Sequence, residues 1–232
     1  MKKIFAAVLS LCCLAGVASA ANIADDFRAH YRATSDLSAY NKDINALIGV
    51  ADFHTGKGTS FPGFDIGATL SAIKPSSNNN ITSDDYLYTG FITAETKIPV
   101  LDLGVVVRGT DMNGFKSLGG GLKYNFGLLD TIHVSLGGFY DRGSTDWYTT
   151  DHYSLSAVAS MNVLFLTPYV GIGYDYGELE TKDILPSRST SDGDVRYTAG
   201  VNVKPFPFVY MFAAYTKTSS SHALQGGLGL NF

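Results

Sequence analysis

One pair of residues has the types and the spacing that nucleophilic chemistry requires. His133 and Ser135 lie two positions apart, and residues i and i+2 of a β-strand share a face. An imidazole beside a hydroxyl can activate that hydroxyl as a nucleophile. The pair is therefore a candidate catalytic site, provided that its strand turns it towards a substrate.

The His-x-Ser spacing resembles that of outer-membrane phospholipase A, but the resemblance ends there. The motif of that family continues with Asn and Gly, whereas Leu136 and Gly137 follow here. The alternation along the strand also points His133 and Ser135 to its polar face, away from lipid. We therefore expect no enzymatic activity, and keep a phospholipase-like membrane hydrolase as an alternative.

A second group of acids surrounds one predicted external loop. Asp141, Asp146, Asp151 and His152 are close in sequence, and acid–histidine pairs can activate water. A solvated loop explains the same residue types without any chemistry. We therefore expect no hydrolytic site here.

Metal and phosphate motifs are incomplete. The acids Asp84-Asp85 and Asp192-Gly193-Asp194 are too sparse for zinc or calcium. The glycines at 119–121 are not followed by the Lys-Ser/Thr of a phosphate-binding loop. The sequence predicts neither a metal nor another cofactor.

The elements that would position these residues are β-strands. From Phe64 onwards, apolar and polar residues alternate with a period of two, in segments of about ten residues, the length of a tilted membrane-spanning strand. After the N-terminal segment no stretch reaches the ~18 apolar residues of a spanning helix. Only a closed barrel then pairs every backbone group in lipid. Charged residues on the predicted inner face are candidate lumen-lining residues, which either line a channel or pair with one another: Asp102, Arg108, Lys123, Asp141, Arg196 and Lys204.

The N-terminus has the three parts of a secretory signal peptide at residues 1–20. Lys2 and Lys3 precede an apolar run, and Ala18 and Ala20 form a small-residue cleavage site. Both cysteines lie within the apolar run. The mature chain is therefore predicted to start at Ala21 without any thiol, which excludes disulfides and cysteine chemistry.

The charge of the predicted mature chain is mildly acidic. Without Lys2 and Lys3, 15 of the 17 basic residues remain against 21 acidic ones, a net charge of −6. The sequence contains no basic stripe. Nucleic acid is therefore not an expected partner.

Strand parity fixes the expected architecture. Short connections alternate with longer polar ones, including 75–85, 142–150 and 179–194, as in outer-membrane barrels with short periplasmic turns. Ten strands within residues 62–232 begin and end on the same side. Residues 21–61 have helical apolar spacing and are predicted to be a partly helical periplasmic or lumenal segment. Twelve strands remain an alternative, with 47–55 as an additional strand.

The C-terminal residues 226–232 resemble the C-terminal signature of outer-membrane proteins. Leu228 and Leu230 alternate with polar or small residues, and the chain ends in Phe232. The resemblance implies recognition by the barrel-assembly machinery. It also implies the outer membrane as the location.

A second resemblance covers most of the mature chain. The Phe-Pro-Gly-Phe-Asp stretch at 61–65 and the Arg-Tyr-Thr-Ala-Gly-Val-Asn stretch at 196–202 resemble an uncharacterised family of Gram-negative outer-membrane barrels. The resemblance implies the fold and the location but supplies no activity.

Together these patterns predict an all-β protein, a monomeric antiparallel transmembrane up-and-down β-barrel with an N-terminal helical plug or cap. Its expected surroundings are outer-membrane lipid and lipopolysaccharide. The expected function is structural or passive transport, as a narrow channel or small-solute conduit. Surface binding or adhesion through the 179–194 loop is a further alternative.

Overall fold

The protein is a closed β-barrel of ten antiparallel strands, each paired with its neighbours in sequence and the first paired with the last. The structure, a computed structural model, describes residues 22–59, 61–101, 103–128 and 131–232. The predicted signal peptide, with Ala18 and Ala20, lies outside the described residues. The strands are β1 Phe64–Lys74, β2 Leu87–Ile98, β3 Leu103–Met112, β4 Phe115–Gly127, β5 Ile132–Ser144, β6 Tyr148–Met161, β7 Leu166–Thr181, β8 Ser189–Phe206, β9 Val209–Lys217 and β10 His222–Asn231.

Two helices precede the barrel, α1 (Ile23–His30) and α2 (Leu37–Gly49), followed by a 3₁₀ helix (Val50–Asp52). The Asn22 side chain caps α1, and the Asp36 side chain caps α2. None of the described helices is long and apolar enough to cross a membrane. The prediction of ten strands with a helical plug is confirmed. The twelve-strand alternative is wrong because residues 47–52 complete α2 and the 3₁₀ helix.

The two ends of the barrel differ. One end, here the turn end, carries four short connections. At this end the first and last strands are joined by two backbone hydrogen bonds between Phe64 and Phe232. The predicted assembly residues Leu228 and Leu230 lie beside them, paired with Ala68 and Ile66 of β1. The opposite end, the loop end, carries the connection at residues 75–86 and four shorter ones.

Two predicted external loops are mostly strand. The connection between β5 and β6 contains only residues 145–147, and that between β7 and β8 only residues 182–188. The period-two burial of β7 continues to Thr181, so β7 and β8 reach 16 and 18 residues. A tilted spanning strand needs about 9–11 residues. The sheet therefore projects beyond the membrane at the loop end.

Residues 22–58, here the plug, thread the barrel from the loop end to the turn end before β1 begins. At the loop end the Ile23 amide donates to Asn113 O (2.8 Å). Farther in, the side-chain Nδ2 of Asn41 in α2 donates to Gly177 O (2.8 Å). Near the turn end the Gly56 amide donates to Ser160 Oγ (3.1 Å).

The loop half of the lumen contains an apolar core. Phe27 and Tyr40 of the plug pack on Tyr148 of the wall, with ring centroids 4.9 and 5.6 Å apart. The wall residues of this core are Ile73, Leu87, Phe91, Phe115, Tyr148, Leu179 and Ala223. The alternation predicted charged residues on the inner face, and in this half the inner face also carries large apolar residues. The reason is that its wall faces the apolar sides of α1 and α2.

Glycines of the inner wall make room for the plug. A Cβ added to Gly171 would collide with the Phe53 ring, whereas one added to Gly138 would meet only Leu155 Cδ2 at 3.4 Å.

Gly171→Ala should destabilise the folded protein by about 1–3 kcal/mol through overpacking, and Gly138→Ala should not. The temperature at which heating shifts the mobility of the barrel in detergent gels measures the difference. Equal shift temperatures for the two variants would show that Phe53 is not seated against this wall.

Candidate functional site

A single carboxylate connects the plug to the barrel wall at mid-depth. Asp52, at the end of the 3₁₀ helix, accepts hydrogen bonds from Arg108 Nη1 (2.7 Å) and Arg196 Nη2 (2.5 Å). It also accepts from Ser154 Oγ (2.7 Å) and Ser156 Oγ (2.5 Å). The Gly49 carbonyl, one turn earlier, accepts from Arg196 as well.

The wall supplies the rest of this group. Arg108 of β3 binds Asp141 of β5 in a bidentate manner, at 2.8 and 2.5 Å. Arg196 of β8 binds Asp175 of β7 at 2.9 Å. These residues meet because strand alternation turns each of them inward at the same depth.

His152 of β6 lies between the two acid–arginine pairs. Its Nδ1 is 3.4 Å from Asp141 Oδ2, and its Nε2 is 3.3 Å from Asp175 Oδ1, without hydrogen-bond geometry at the second contact. All six residues are at most 1 % exposed. We call this group the ion cluster: Asp52, Arg108, Asp141, His152, Asp175 and Arg196.

The wall part of the ion cluster balances its own charge. Asp141 and Asp175 compensate Arg108 and Arg196, and His152 adds a positive charge only when it is protonated. Buried charges are tolerated only when they are paired. Asp52 is therefore an additional partner for two arginines that already have one each.

Polar contacts also fasten the plug at the loop end. The Asp43 carboxylate of α2 accepts from the Ser76 amide (3.0 Å), Asn79 Nδ2 (2.7 Å) and Ser221 Oγ (2.7 Å). Burial raises the pKa of Asp43 above its ordinary value, although these hydrogen bonds oppose the shift. Asp26 of α1 accepts from the Ser83 hydroxyl at 2.6 Å. Both helices are thus held to the external connections.

The predicted lumen-lining residues fall into three places. Arg108, Asp141 and Arg196 form the ion cluster, and Lys123 pairs with Glu95 at 2.9 Å. Lys204 lines a cavity at the turn end. Asp102 lies outside the described residues.

Three members of the ion cluster were missing from the predicted lumen-lining set. His152 and Asp175 follow the same alternation as Arg196, so strand parity could have identified them. Asp52 could not be found in this way, because it lies in the plug, where no period-two pattern assigns a face.

The residues considered as candidate chemical sites lie in different surroundings. His133 points into the lumen and contacts Asn162 (3.0 Å), and Ser135 is buried on the same inner face. Asp141 and His152 are inside the barrel, whereas Asp151 accepts from the partly exposed Tyr140 and Asp146 is exposed. Within the described ranges no group of three His, Cys, Asp or Glu residues could hold a metal ion.

Removing the charge of Asp52 should loosen the plug. Asp52→Asn keeps the shape but weakens the contact with two buried arginines, and breaking a buried ion pair costs about 3–5 kcal/mol. We expect trypsin to cleave the plug after Lys42, which is half-buried within α2, at least about tenfold faster, because cleavage follows the population of the open form.

Asp25→Asn, on the exposed side of α1, is the matched control and should leave the cleavage rate unchanged. Equal rates for both variants would mean that the ion cluster does not hold the plug.

Solved structures similar to this chain are outer-membrane barrels. An outer membrane channel of Pseudomonas putida F1 is 12% identical with a TM-score of 0.55, covering 78% of this chain and 100% of that one. The N-terminal β-barrel domain of Pseudomonas aeruginosa OprF is 14% identical with a TM-score of 0.39, covering 72% and 97%. Yersinia pestis Ail, the attachment invasion locus protein, is 18% identical with a TM-score of 0.38, covering 73% and 97%.

No curated protein matches the chain significantly. A family model described as the outer membrane protein beta-barrel domain matches residues 44–232. That match includes the C-terminal part of α2 from residue 44 onwards, the ion cluster and all ten strands. The chain therefore belongs to the outer membrane protein beta-barrel domain family.

Proposed function

We propose that this protein is a plugged outer-membrane channel, in which displacement of the plug opens a passive route for small polar solutes and no covalent chemistry takes place. The observation that carries the proposal is the way in which the lumen is closed. It is blocked by a separate chain segment rather than by side chains of the wall, and that segment is held at mid-depth by one carboxylate, Asp52.

The charge balance of the wall supports a plug that can leave. When Asp52 is withdrawn, Arg108 keeps Asp141 and Arg196 keeps Asp175. Water entering the lumen then solvates the remaining polar groups, and an exposed or hydrated pair carries little penalty. The open wall is therefore a polar, charge-paired surface, which suits a passage for water-soluble molecules.

The remaining free space locates the barrier. Beside Asp52 and Lys123 the lumen leaves a cavity of about 10 Å³, room for about one water molecule. At the turn end, below Thr55, a cavity of about 180 Å³ is open. The plug thus leaves almost no free space beside Asp52, and its helices fill the loop half with a buried core, so a solute passes only after the plug moves.

Surface binding has less support. The connection at residues 182–188 is tied to the plug, because Tyr31 Oη donates to Pro186 O (2.8 Å) and Arg188 Nη1 donates to Ser35 O (2.9 Å). These two hydrogen bonds instead couple the connection to the plug, so that a change in the conformation of residues 182–188 would also act on the plug.

Deleting the plug should open the channel. In planar bilayers, we expect the full mature chain to be closed for most of the time and the variant lacking residues 22–58 to give steady conductance. A heat-dependent mobility shift in detergent gels must first show that the variant is folded. If the folded deletion variant shows no conductance, the proposal is wrong and the protein is a filled structural barrel.

A disulfide should lock the plug in the full chain. A Cβ on Gly177 would lie 2.5 Å from Asn45 Cγ. The sulfur of a cysteine at position 45 would stand close to the present Cγ, within bonding reach of the sulfur of a cysteine at position 177. Moderate urea should unfold the helical plug before the closed barrel and so induce openings. The oxidised double variant Asn45→Cys, Gly177→Cys should stay closed, and reductant should restore the openings. Equal opening of the oxidised and the reduced double variant would contradict a moving plug.

A further inference from the structure

The cavity at the turn end is lined by two lysines and a row of amide and hydroxyl side chains. Lys57 comes from the plug and Lys204 from β8, and Asp65 is the carboxylate among the described lining residues. The polar lining residues are His54, Thr55, Asn162, Thr167, Asn202, Tyr210 and Asn231. We call this cavity the vestibule. Among the described residues the vestibule has two ammonium groups against one carboxylate.

The carboxylate of the vestibule is already engaged. Asp65 accepts from Tyr210 Oη at 2.7 Å and from Asn231 Nδ2 at 3.1 Å. The His54 ring lies stacked on Tyr210, with centroids 4.4 Å apart. These hydrogen bonds hold Asp65 in a fixed position without removing its charge, so the excess positive charge of the described lining comes from the second lysine.

One side chain in the vestibule lacks a partner. Asn202 is 1% exposed, and its Oδ1 has no hydrogen-bond donor in the described part of the chain. Its Nδ2 donates to His54 O at 3.5 Å, so Oδ1 is the end of the amide that has no partner. By contrast, Asn162 accepts from Thr167 Oγ1 (3.1 Å). A buried acceptor without a donor is unfavourable. Asn202 lines the vestibule, so a small shift of its amide towards a bound ligand would give Oδ1 a donor and remove that penalty.

We propose that the vestibule is a binding site for a small hydroxylated anion, such as a sugar acid or another hydroxycarboxylate. Lys57 and Lys204 attract the anionic group, and a ligand hydroxyl donates to Asn202 Oδ1. A ligand ammonium group would offer the same donor but is repelled by the two lysines. The volume of about 180 Å³ is below the ~300–1,000 Å³ of pockets for drug-sized ligands, so the ligand is small.

In the proposed channel this site selects solutes at the turn end of the lumen. The inference rests on the proposed function for that role, but binding itself is measured without any conductance. The two ideas therefore fail separately. If the deletion variant stays closed while the full chain binds the ligand, the channel is excluded and the site is kept, whereas a conducting deletion variant together with a full chain that does not bind gives the reverse.

The test is titration calorimetry on the full mature chain, refolded in a zwitterionic detergent at low ionic strength, where charges are least screened. Three probes separate the two features of the ligand. Gluconate has a carboxylate and hydroxyls, acetate has only the carboxylate, and sorbitol has only hydroxyls. We expect saturable binding of gluconate, about tenfold weaker binding of acetate and no binding of sorbitol.

Variants assign the binding to this cavity. Lys57→Gln and Lys204→Gln should each weaken gluconate binding about tenfold. Lys116→Gln, an exposed lysine at the loop end, is the matched control and should not. Asn202→Leu, similar in size, should remove the preference for gluconate over acetate and keep acetate binding.

Three results would overturn the proposal. Sorbitol binding as well as gluconate would remove the need for an anion. An equal loss in Lys116→Gln would reduce the effect to overall charge. A gluconate preference that survives in folded Asn202→Leu would show that the free Oδ1 is not a ligand contact.

Discussion

Closure of the ten-strand backbone ladder is the constraint on which the rest of this structure depends. In a bilayer each strand edge must be paired, and β1 and β10 meet this requirement through ten residue pairs. Side chains just fill the interior of an eight-stranded barrel. A ten-stranded wall encloses more space, and this chain fills that space with its own N-terminal residues. The plug thus follows from the strand number, and the two must match in size. Gly171 and Phe53 illustrate the match, because the wall lacks a side chain where the ring lies.

The filled lumen is divided by depth into two chemical environments. In the loop half, Phe27 and Tyr40 bury apolar surface against the wall, and each buried aromatic adds substantially to stability. At mid-depth the contact changes to charge, where Asp52 meets Arg108 and Arg196. Burying ions stabilises little compared with apolar packing of the same volume. The ion cluster therefore sets a specific position for the plug, while the apolar half provides most of the attachment. Stability alone would not require the ion cluster, because apolar packing of the same volume would stabilise the barrel as well or better.

The sequence predicted the wall far better than the plug. Alternation placed Arg108, Asp141 and Arg196 on the inner face, because period-two geometry leaves each strand residue only two directions. It missed the inward Phe91 and Phe115 as core residues, because their role exists only once α1 and α2 occupy the lumen. Helical spacing identified α2, yet nothing in it showed that Asp52 would meet the two arginines. That contact joins residues 56 and 144 positions apart, and no local pattern encodes such a pairing.

The last residues of the plug and the connection to β1, here together called the tether, limit how the lumen can open. Residues 53–63 run from the ion cluster to the start of β1 at the turn end. These eleven residues reach at most about 36 Å when extended, comparable to the ~30 Å hydrocarbon core. The two helices can therefore move out through the loop end while they remain attached at the turn end. Such a movement exposes the apolar faces of α1 and α2 to water, and it breaks the contacts of Asp43 with the external connections. The length of the tether thus permits opening, whereas the apolar packing and the Asp43 contacts oppose it, so the closed state is the resting state.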